Sequence, residues 1–366
     1  MNQRERYINC LTFREVDHIP NMEFGVWNET IDRWHSEGLA WWVKDLWTLG
    51  DHFRLDKSFN CDWMHINNLV YPEPVFHQIK DGGEWEIIED TIGNRLKRKK
   101  QFATIPQFEK FAVSNEDDYE RIRPFLNPHI EERYAQDFDH DLMGRTLRGE
   151  VRGVNFHGLF GFTRDLMGFE GLCYALYEDT ELIEKIIDGR VEMAEVLYKR
   201  ILEENSLDFV QIWEDMAYKT GPMISPDFMK NHFVPRYRRI TKTFRDGGVR
   251  LFMMDCDGNI EKILPLLNDS GIDGIYPCEM AAGSDPLMLR RMFPGISLAG
   301  GIDKRALITE GREGARKELK RLQPLIREGG YIPYIDHFIP PDISYDTFCY
   351  YMELKKDLIA NPQMKI

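Results

Sequence analysis

The feature that most constrains the fold is a repeated pattern in which an apolar strand ends in acidic residues and a helix follows. The pattern occurs twice between residues 249 and 285: one apolar run ends at Asp255 and Asp257, and the next ends at Glu279. Between the two runs, apolar residues recur at the three- and four-residue spacing of a helix. Strands that alternate with helices predict a parallel sheet with right-handed crossovers.

The same pattern recurs on both sides of this segment. Three further apolar runs end in charged or glycine-rich residues, at positions 207–213, 296–299 and 331–335. Five such units in 366 residues favour a closed (β/α)8 TIM barrel over an open doubly wound sheet. We therefore interpret residues 1–366 as a single α/β barrel domain.

Residues 70–105 depart from this alternation. Short runs at 75–79, 85–89 and 94–98 are separated by turn residues that include glycine, which is typical of antiparallel hairpins. We interpret this segment as a β-hairpin insertion, which with the N-terminal helices elaborates the barrel.

Charge and composition exclude several classes of protein. The net charge of −14 argues against a nucleic-acid partner, which needs a basic face, and against a polybasic membrane contact. The six cysteines form no CxxC pair, which is typical of a reducing compartment. The N-terminal residues lack the apolar core of a signal peptide, and no run approaches the ~20 apolar residues of a membrane helix. We expect a soluble, cytoplasmic protein.

Polar groups at the strand ends are the candidates for the active site. The carboxyl ends of parallel strands meet at one edge of the sheet, where active sites are built. Several carboxylates at that edge repel one another, so either the pKa of at least one rises or a cation binds among them. The candidates are Glu214, Asp215, Asp255, Asp257, Glu279, Asp336 and His337.

Asp255 and Asp257 project to the same side of an extended segment because one residue separates them. With Glu279 and His337 they provide three carboxylates and one imidazole, which suit a divalent metal. The same set suits an organic cation, because neighbouring rings can supply aromatic faces. The sequence leaves both interpretations open. The candidate rings are Trp213, Tyr218, Phe252 and Tyr334.

Other residues are candidates for ligand contacts. Trp27 is either a pocket wall or a packing aromatic, and Arg164 lies in a loop near the expected mouth. Glycines at 283, 300 and 301 either let backbone approach a ligand or form tight turns. No GxGxxG, P-loop or GxSxG stretch occurs, which removes the commonest nucleotide-binding and serine-hydrolase interpretations.

Several motifs over nearly the whole chain resemble those of the uroporphyrinogen decarboxylase superfamily, which also contains cobalamin-dependent methyltransferases. The resemblance implies a (β/α)8 barrel. The motifs are Asn2-x-Arg4-Glu5-Arg6, Asp17-His18-Ile19-Pro20, Ile212-Trp213-Glu214-Asp215-Met216-Ala217-Tyr218, Asp257-Gly258-Asn259, Glu279-x-x-Ala282-Gly283-x-Asp285, Gly300-Gly301-Ile302-Asp303-Lys304 and Gly329-Gly330-Tyr331-Ile332-Pro333-x-x-Asp336-His337-x-x-Pro340-Pro341.

The resemblance to the decarboxylase itself is weaker at the substrate site. The family's Arg-Gln-Ala-Gly-Arg stretch after the first strand is replaced by residues 22–28, which contain no arginine, and only His337 matches a decarboxylase active-site residue. An acidic mouth should also repel a polycarboxylate substrate. A decarboxylase of a non-standard substrate, with His337 and an aspartate as proton donors, is therefore the alternative. A non-catalytic ligand-binding barrel is the third hypothesis.

In the methyltransferase branch, the resemblance implies a zinc site formed by a His-x-Cys pair, a Glu and a Cys. Aligned on Gly258-Asn259, these positions are Asp255, Asp257, Glu279 and His337. A site here for zinc or a harder ion would therefore have oxygen and imidazole donors in place of the family's thiolates. We therefore expect a corrinoid-dependent methyltransferase. It would move a methyl group between a small methylated substrate and the cobalamin of a separate corrinoid carrier protein.

This hypothesis assigns a role to each candidate residue. A poor leaving group needs protonation or Lewis-acid assistance, which the strand-end cluster can provide. The chain could also form a homodimer. The predicted catalytic residues are Glu214, Asp215, Asp336 and His337. The predicted substrate contacts are Trp27, Arg164, Trp213 and Tyr218, the predicted cofactor contacts are Gly283, Gly300 and Gly301, and the predicted metal ligands are Asp255, Asp257, Glu279 and His337.

Overall fold

The structure, a computed structural model, describes residues 1–56, 66–100, 106–134, 138–204 and 206–366. It contains an antiparallel sheet, a parallel sheet and a two-stranded ribbon. The strands are β1 (Phe76–Asp81), β2 (Trp85–Asp90), β3 (Arg95–Lys99), β4 (Gln107–Lys110), β5 (Gly153–His157), β6 (Phe209–Trp213), β7 (Ala217–Tyr218), β8 (Gly221–Pro222), β9 (Leu251–Asp255), β10 (Gly274–Cys278), β11 (Ser297–Gly300) and β12 (Tyr331–Ile332).

Helices surround and connect these strands. The helices are α1 (Gln3–Leu11), α2 (Asn28–Ser36), α3 (Leu46–Phe53), α4 (Glu116–Ile122), α5 (Phe138–Arg148), α6 (Leu159–Glu178), α7 (Thr180–Glu204), α8 (Pro226–Phe228), α9 (Val234–Asp246), α10 (Leu264–Asp269), α11 (Pro286–Met292), α12 (Lys304–Glu310), α13 (Arg312–Glu328) and α14 (Tyr345–Ala360). Among the helices of the described residues, none combines the length and the apolar character that a bilayer crossing requires.

The parallel sheet has the order β12-β11-β10-β9-β6-β5, so its strands are neighbours in the order in which they occur along the chain. At least one helix lies between each pair of consecutive strands, which confirms the predicted strand–helix alternation. One row of side chains crosses five strands in register and is fully buried, which places the core against the sheet. The row is Phe156, Ile212, Met254, Ile275 and Leu298.

Two parallel bridges extend the array beyond β12. One joins Ile302 to Ile335, and the other joins Ile339 to Val26 near the N-terminus of the chain. No continuous ladder joins the two ends of the array in the part of the chain that the structure describes. The structure therefore establishes an α/β fold with a six-stranded parallel sheet, and the closed barrel stays a prediction.

Side chains join the other edge of the sheet to the segment around Asn68. The Asn68 amide donates to the carbonyl of Asn155 in β5 at 2.9 Å. The buried guanidinium of Arg190 donates to Asn68 Oδ1 at 2.6 Å and to the carbonyl of His157 at 2.8 and 3.0 Å. Burial lowers the pKa of Arg190 to about 9. We call this contact the side-chain seam (Asn68, Asn155, His157 and Arg190).

The antiparallel sheet has the order β1-β2-β3-β4. The hairpins predicted between residues 75 and 100 are present, and β4 adds a fourth strand that the sequence did not indicate. Ile88 and Leu96 are buried, whereas β1 and β4 are exposed along their whole length. Residues 101–105 of the predicted insertion lie outside the described residues, and the division into a single domain with an insertion stays a prediction.

Local side-chain caps fix where several helices begin. Asn2 accepts a hydrogen bond from the backbone of Glu5, whose side chain accepts from the backbone of Asn2, so the two residues form a capping box. Ser225 accepts from the backbone of Phe228 and precedes a proline in the first turn. Ser344 caps α14 in the same way.

Candidate functional site

A second row of side chains, one residue beyond the core row, lies at the carboxyl edge of the parallel sheet. His157, Trp213, Asp255 and Tyr276 are in register across β5, β6, β9 and β10. Because side chains alternate between the faces of a strand, this row points to the face opposite the core row. Gln211 shares that face with Trp213, since the two are separated by one residue. The parallel register therefore places one carboxylate among three rings and an amide.

Three aspartates meet at this edge. One carboxylate oxygen from each of Asp215, Asp255 and Asp257 lies within 4.8 Å of the others. The backbone N–H of Asp257 donates to Asp215 Oδ1 at 3.1 Å, and the Gln211 amide donates to Asp255 Oδ2 at 3.3 Å. We call these three residues the aspartate cluster.

Burial and mutual repulsion act on the charges of the aspartate cluster. Burial, then the charges of Asp215 and Asp257, raise the pKa of Asp255 well above its usual value. The pKa of Asp215 is raised first by burial and then by Asp257, and Arg164 and His337 oppose the shift. Like charges this close do not all ionise near neutral pH unless a cation joins them.

Asp215 has a backbone conformation that is rare for a residue with a side chain. Its φ is 44°, in the left-handed region. Such a conformation costs about 1 kcal/mol or more and persists only where surrounding contacts enforce it. Here the Asp215 carbonyl accepts from the Arg164 guanidinium at 3.0 Å, and its carboxylate accepts from Asp257. These contacts hold the carboxylate of Asp215 towards the cluster.

His337 connects the aspartate cluster to aromatic side chains. Its Nε2 lies 3.3 Å from Asp257 Oδ2, and 26 % of its side chain is exposed. Its ring centroid lies 5.2 Å from that of Phe24 and 5.1 Å from that of Phe338. The ring of Trp27 lies 4.8 Å from Phe338 and is 48 % exposed. We call Trp27, Phe338, Phe24 and His337 the aromatic strip.

Glycine at position 25 allows the strip to form. A Cβ at Gly25 would lie 2.6 Å from the ring of Phe338, closer than real Cβ atoms approach. Any side chain there would displace Phe338 from Phe24 and Trp27. Phe24 also packs against Tyr276 and Tyr334, with centroid distances of 6.1 and 6.2 Å.

The four predicted metal ligands do not form one tight set. Within the described residues, the compact carboxylate group contains Asp215 in addition to Asp255 and Asp257, without Glu279 or His337. The side chain of Glu279 instead accepts from the backbone N–H of Gly258 at 3.0 Å.

The donor atoms at the site distinguish between a hard divalent ion and a zinc ion held by thiolates. Burial raises the pKa of the Cys256 thiol well above its usual value and that of Cys278 to about 12, so neither buried thiol is a ready thiolate. The donors of the aspartate cluster fit a hard divalent ion and do not reproduce a zinc–thiolate site.

Glu214 lies beside Asp215 in sequence but faces a different part of the molecule. It is fully buried, and its Oε2 accepts from the backbone N–H of Gly161 in the first turn of α6 at 2.7 Å. Burial raises the pKa of Glu214 to about 8, opposed by hydrogen bonds from that turn. The structure therefore gives Glu214 a contact with a helix N-terminus, and its predicted catalytic role stays a prediction.

Asp336 joins loops at the sheet edge. It is fully buried and accepts from the backbone N–H of Met280 at 3.0 Å and of Lys304 at 3.3 Å, with the Lys304 ammonium at 3.6 Å. Burial raises its pKa, and Lys304 opposes the shift. These contacts describe an internal brace, and the predicted proton-donor role of Asp336 stays a prediction.

The predicted substrate contacts occupy different positions. The guanidinium of Arg164 lies 4.9 Å from the centre of the Trp213 ring, which also packs against His157 at 4.7 Å. A decarboxylase would need an arginine to bind the substrate carboxylate, but Arg164 is already held by this ring and by its hydrogen bond to the Asp215 carbonyl. Tyr218 is 58 % exposed on the β7–β8 ribbon. Trp27 belongs to the aromatic strip.

The three predicted cofactor-contacting glycines all have positive φ. A Cβ at Gly300 would lie 3.0 Å from the backbone nitrogen of Cys278, and one at Gly301 would lie 2.5 Å from Pro286. Packing against the protein accounts for both residues, and Gly283 is accounted for by its left-handed conformation at 87°. The cofactor role of all three stays a prediction.

Sequence reasoning missed five residues of the site: Gln211, Phe24, Phe338, His157 and Tyr276. Gln211 left a signal, because it is a polar residue inside an otherwise apolar strand. Phe338 directly follows His337, and Phe24 directly precedes Gly25, which leaves room for the Phe338 ring. Neither sequence pattern specifies a contact between the Phe24 and Phe338 rings.

Comparisons with known proteins are consistent with a shared fold. No protein-family model matches the chain, and no curated protein sequence matches it. Among solved structures, the chain is similar to a methyltransferase from Methanosarcina mazei, with 14 % identity, a TM-score of 0.57 and coverage of 98 % of both chains. It is also similar to a B12-independent methionine synthase from Shewanella sp. W3-18-1, with 16 % identity, a TM-score of 0.41 and coverage of 81 % and 78 %. The first similarity establishes the fold alone, and the second is too distant to carry an argument.

Proposed function

We propose that the protein is a methyltransferase that moves a methyl group between a small methylated substrate and the cobalamin of a separate carrier protein. The observation that carries the proposal is the aspartate cluster, with His337 beside it, at the carboxyl edge of a parallel sheet. The fold shared with a methyltransferase supports methyl transfer in general. The cobalamin carrier is supported by the sequence motifs alone.

The residues of the site suit the chemistry of demethylation. When a methyl group is removed, the bond to the substrate heteroatom breaks and its electron pair stays on the leaving group. His337, whose Nε2 lies 3.3 Å from Asp257 Oδ2, would donate a proton to that leaving group. The fixed carboxylates of Asp215 and Asp255 stabilise positive charge on the bound substrate. A reduced cobalamin, when bound, supplies the nucleophile that accepts the methyl group.

A divalent ion would be held by the aspartate cluster rather than by the four ligands that the sequence predicted. It would polarise the leaving group. Elemental analysis of freshly purified protein tests this point, beside an Asp255→Asn, Asp257→Asn double variant and an Asp357→Asn control at an exposed position. A metal at about one per chain, lost only in the double variant, would identify the cluster as its site.

An activity assay tests the proposed function. The protein is mixed with reduced cobalamin and a panel of methyl ethers, methyl amines and methyl ammonium compounds, and formation of the cobalt–carbon bond is followed by visible absorbance. We expect methylation with at least one donor, and a loss of about a hundredfold or more in the Asp255→Asn, Asp257→Asn variant. Asp357→Asn should retain the activity.

Two outcomes would contradict the proposal. One is that no donor yields a cobalt–carbon bond although the protein is folded. The other is that the double variant transfers methyl groups as fast as the unchanged protein.

A further inference from the structure

We propose that the substrate is a methylated ammonium cation, held with its methyl groups on the aromatic strip and its charge beside the aspartate cluster. The reaction of this cation rests on the proposed function, whereas its binding does not. Three observations support the inference. The described residues supply little positive charge to the three carboxylates, aromatic rings lie beside them, and such a cation provides a good leaving group.

The described part of the chain supplies little positive charge to the aspartate cluster. Among the described residues, His337 is the one basic side chain within ion-pair distance of these carboxylates. Arg164 donates to the backbone carbonyl of Asp215. Two oxygens at the site are buried without a hydrogen-bond partner, Oε1 of Gln211 and Oδ1 of Asp257. Gln211 is only 7 % exposed and donates to Asp255 with its amide, so its Oε1 is a buried acceptor beside the cluster that the described residues leave without a donor.

The aromatic strip lies against the same carboxylates. It extends from the exposed ring of Trp27 through Phe338 and Phe24 to His337, which contacts Asp257. Phe24, Phe338 and His337 are half-buried, so each presents part of its ring to solvent. The face of an aromatic ring attracts a quaternary ammonium group by about 0.5–2 kcal/mol, more when water is excluded. A row of rings that ends at a carboxylate thus provides both parts of a site for an organic cation.

The inner rings connect the strip to Asp255. Phe24 packs against Tyr276 and Tyr334. Burial raises the pKa of both tyrosines, and Tyr276 is in register with Asp255 on the neighbouring strand. Buried rings therefore connect the aromatic strip to the strand that carries Asp255.

A quaternary ammonium substrate also simplifies the chemistry. The carbon–nitrogen bond breaks, its electron pair goes to nitrogen, and a neutral tertiary amine leaves. The reduced cobalamin of the carrier that the proposed function includes would accept the methyl group, so charge and atoms balance without added acid. An ether leaving group, in contrast, requires a proton or a Lewis acid. The ammonium substrate therefore needs no proton donor, and His337 would contact it as a ring of the aromatic strip.

Binding of two matched probes tests the inference. Choline and 3,3-dimethylbutan-1-ol have the same shape, but the second has carbon in place of the charged nitrogen. Isothermal titration calorimetry on the full chain should show choline binding about tenfold more tightly than the alcohol. Phe24→Leu and Asp257→Asn should each weaken choline binding about fivefold or more. Trp41→Leu, which removes an 81 % exposed ring outside the strip, should leave it unchanged.

Several results would overturn the inference. Equal binding of both probes would indicate an apolar pocket without charge recognition, and binding of neither would exclude the site. A stoichiometric divalent metal that blocks choline would assign the aspartate cluster to metal binding. The two proposals fail separately: methyl transfer from ethers but not from ammonium donors overturns only the substrate class. Tight choline binding without methyl transfer from any donor overturns only the proposed function.

Discussion

Glu23 is fully buried and the aspartate cluster is partly buried, and the chain treats their charges in opposite ways. Glu23 is 1 % exposed and accepts from the Lys355 ammonium, from the Tyr351 hydroxyl at 2.8 Å and from the backbone N–H of Ile335 at 3.1 Å. Lys355 is itself fully buried and donates to the carbonyl of Met22. Every charge in this region has an internal partner.

The aspartate cluster brings three carboxylates together with one imidazole at its edge, as far as the structure describes its surroundings. A buried group that is fully paired stabilises the fold, whereas clustered like charges reduce stability and are retained where a ligand or a proton compensates them. We therefore interpret the Glu23 region as one that maintains the structure and the aspartate cluster as one that serves the proposed function. Substitutions that remove one partner at a time test this distinction.

The largest effect is expected at Lys355. Replacing it with methionine leaves Glu23 buried without a cation and should lower the free energy of unfolding by about 3–5 kcal/mol. Guanidinium denaturation measures the change, and Lys356→Met at the neighbouring exposed position is the control. Adding Glu23→Gln to Lys355→Met should recover part of the loss. A loss below about 1 kcal/mol for Lys355→Met would remove the contrast between the two regions.

Glu214 is a third kind of buried carboxyl, one that is neutral because it keeps its proton. Burial raises its pKa from 4.5 to about 8. Between these values the folded protein holds a proton that the unfolded chain has released, so folding stability decreases as pH rises. The contribution is complete below pH 4.5 and is lost as pH rises through 8, with a slope of up to about 1.4 kcal/mol per pH unit.

We expect Glu214→Gln to flatten this slope, because the amide has no proton to release. Denaturation curves collected between about pH 5 and pH 8 measure it, with Glu353→Gln as an exposed control. An unchanged slope in the Gln variant would mean that Glu214 is ionised in the folded protein. Glu214 would then be a buried charge without a compensating cation, as in the aspartate cluster.

A smaller change of opposite sign is expected at Asp255. Replacing it with asparagine removes a buried acid that is repelled by Asp215 and Asp257. The free energy of unfolding at neutral pH should rise by about 1–2 kcal/mol, while methyl transfer and cation binding decline. Thermal or chemical denaturation measures the stability, with Asp357→Asn for comparison. A marked loss of stability would show that Asp255 is as internally compensated as Glu23.

The smallest effect is expected at an exposed ion pair of the antiparallel sheet. Arg98 lies 2.9 Å from Glu86 but is 50 % exposed. Arg98→Ala should change the free energy of unfolding by less than about 0.5 kcal/mol, because water solvates the half-exposed guanidinium and the Gln78 amide also donates to the Glu86 carboxylate. A larger loss in urea denaturation would mean that ion pairing, rather than burial, determines the large effect at Lys355.

The sequence predicted the parallel α/β architecture because strand and helix periods are local and the strand ends carry a repeated signal. It placed Asp215, Asp255 and Asp257 at one edge for the same reason. It could not distinguish the directions of Glu214 and Asp215, because the left-handed backbone at Asp215 turns the two side chains apart. It also missed the pairing of Glu23 with Lys355, since nothing in either local pattern selects a partner 332 residues away. Contacts between rings, such as Phe24 with Phe338, depend on packing that no period specifies.

The side-chain seam at Asn68 makes this edge of the sheet more sensitive to substitution than the strands that are joined by backbone hydrogen bonds. A backbone ladder persists through almost any substitution, since every residue carries the same donor and acceptor. A joint formed by one asparagine and one arginine can be tightened, loosened or lost in a single mutational step. Within a sheet whose strands are otherwise joined by backbone ladders, the seam is thus the joint at which natural selection can most readily change how the edge strand is held.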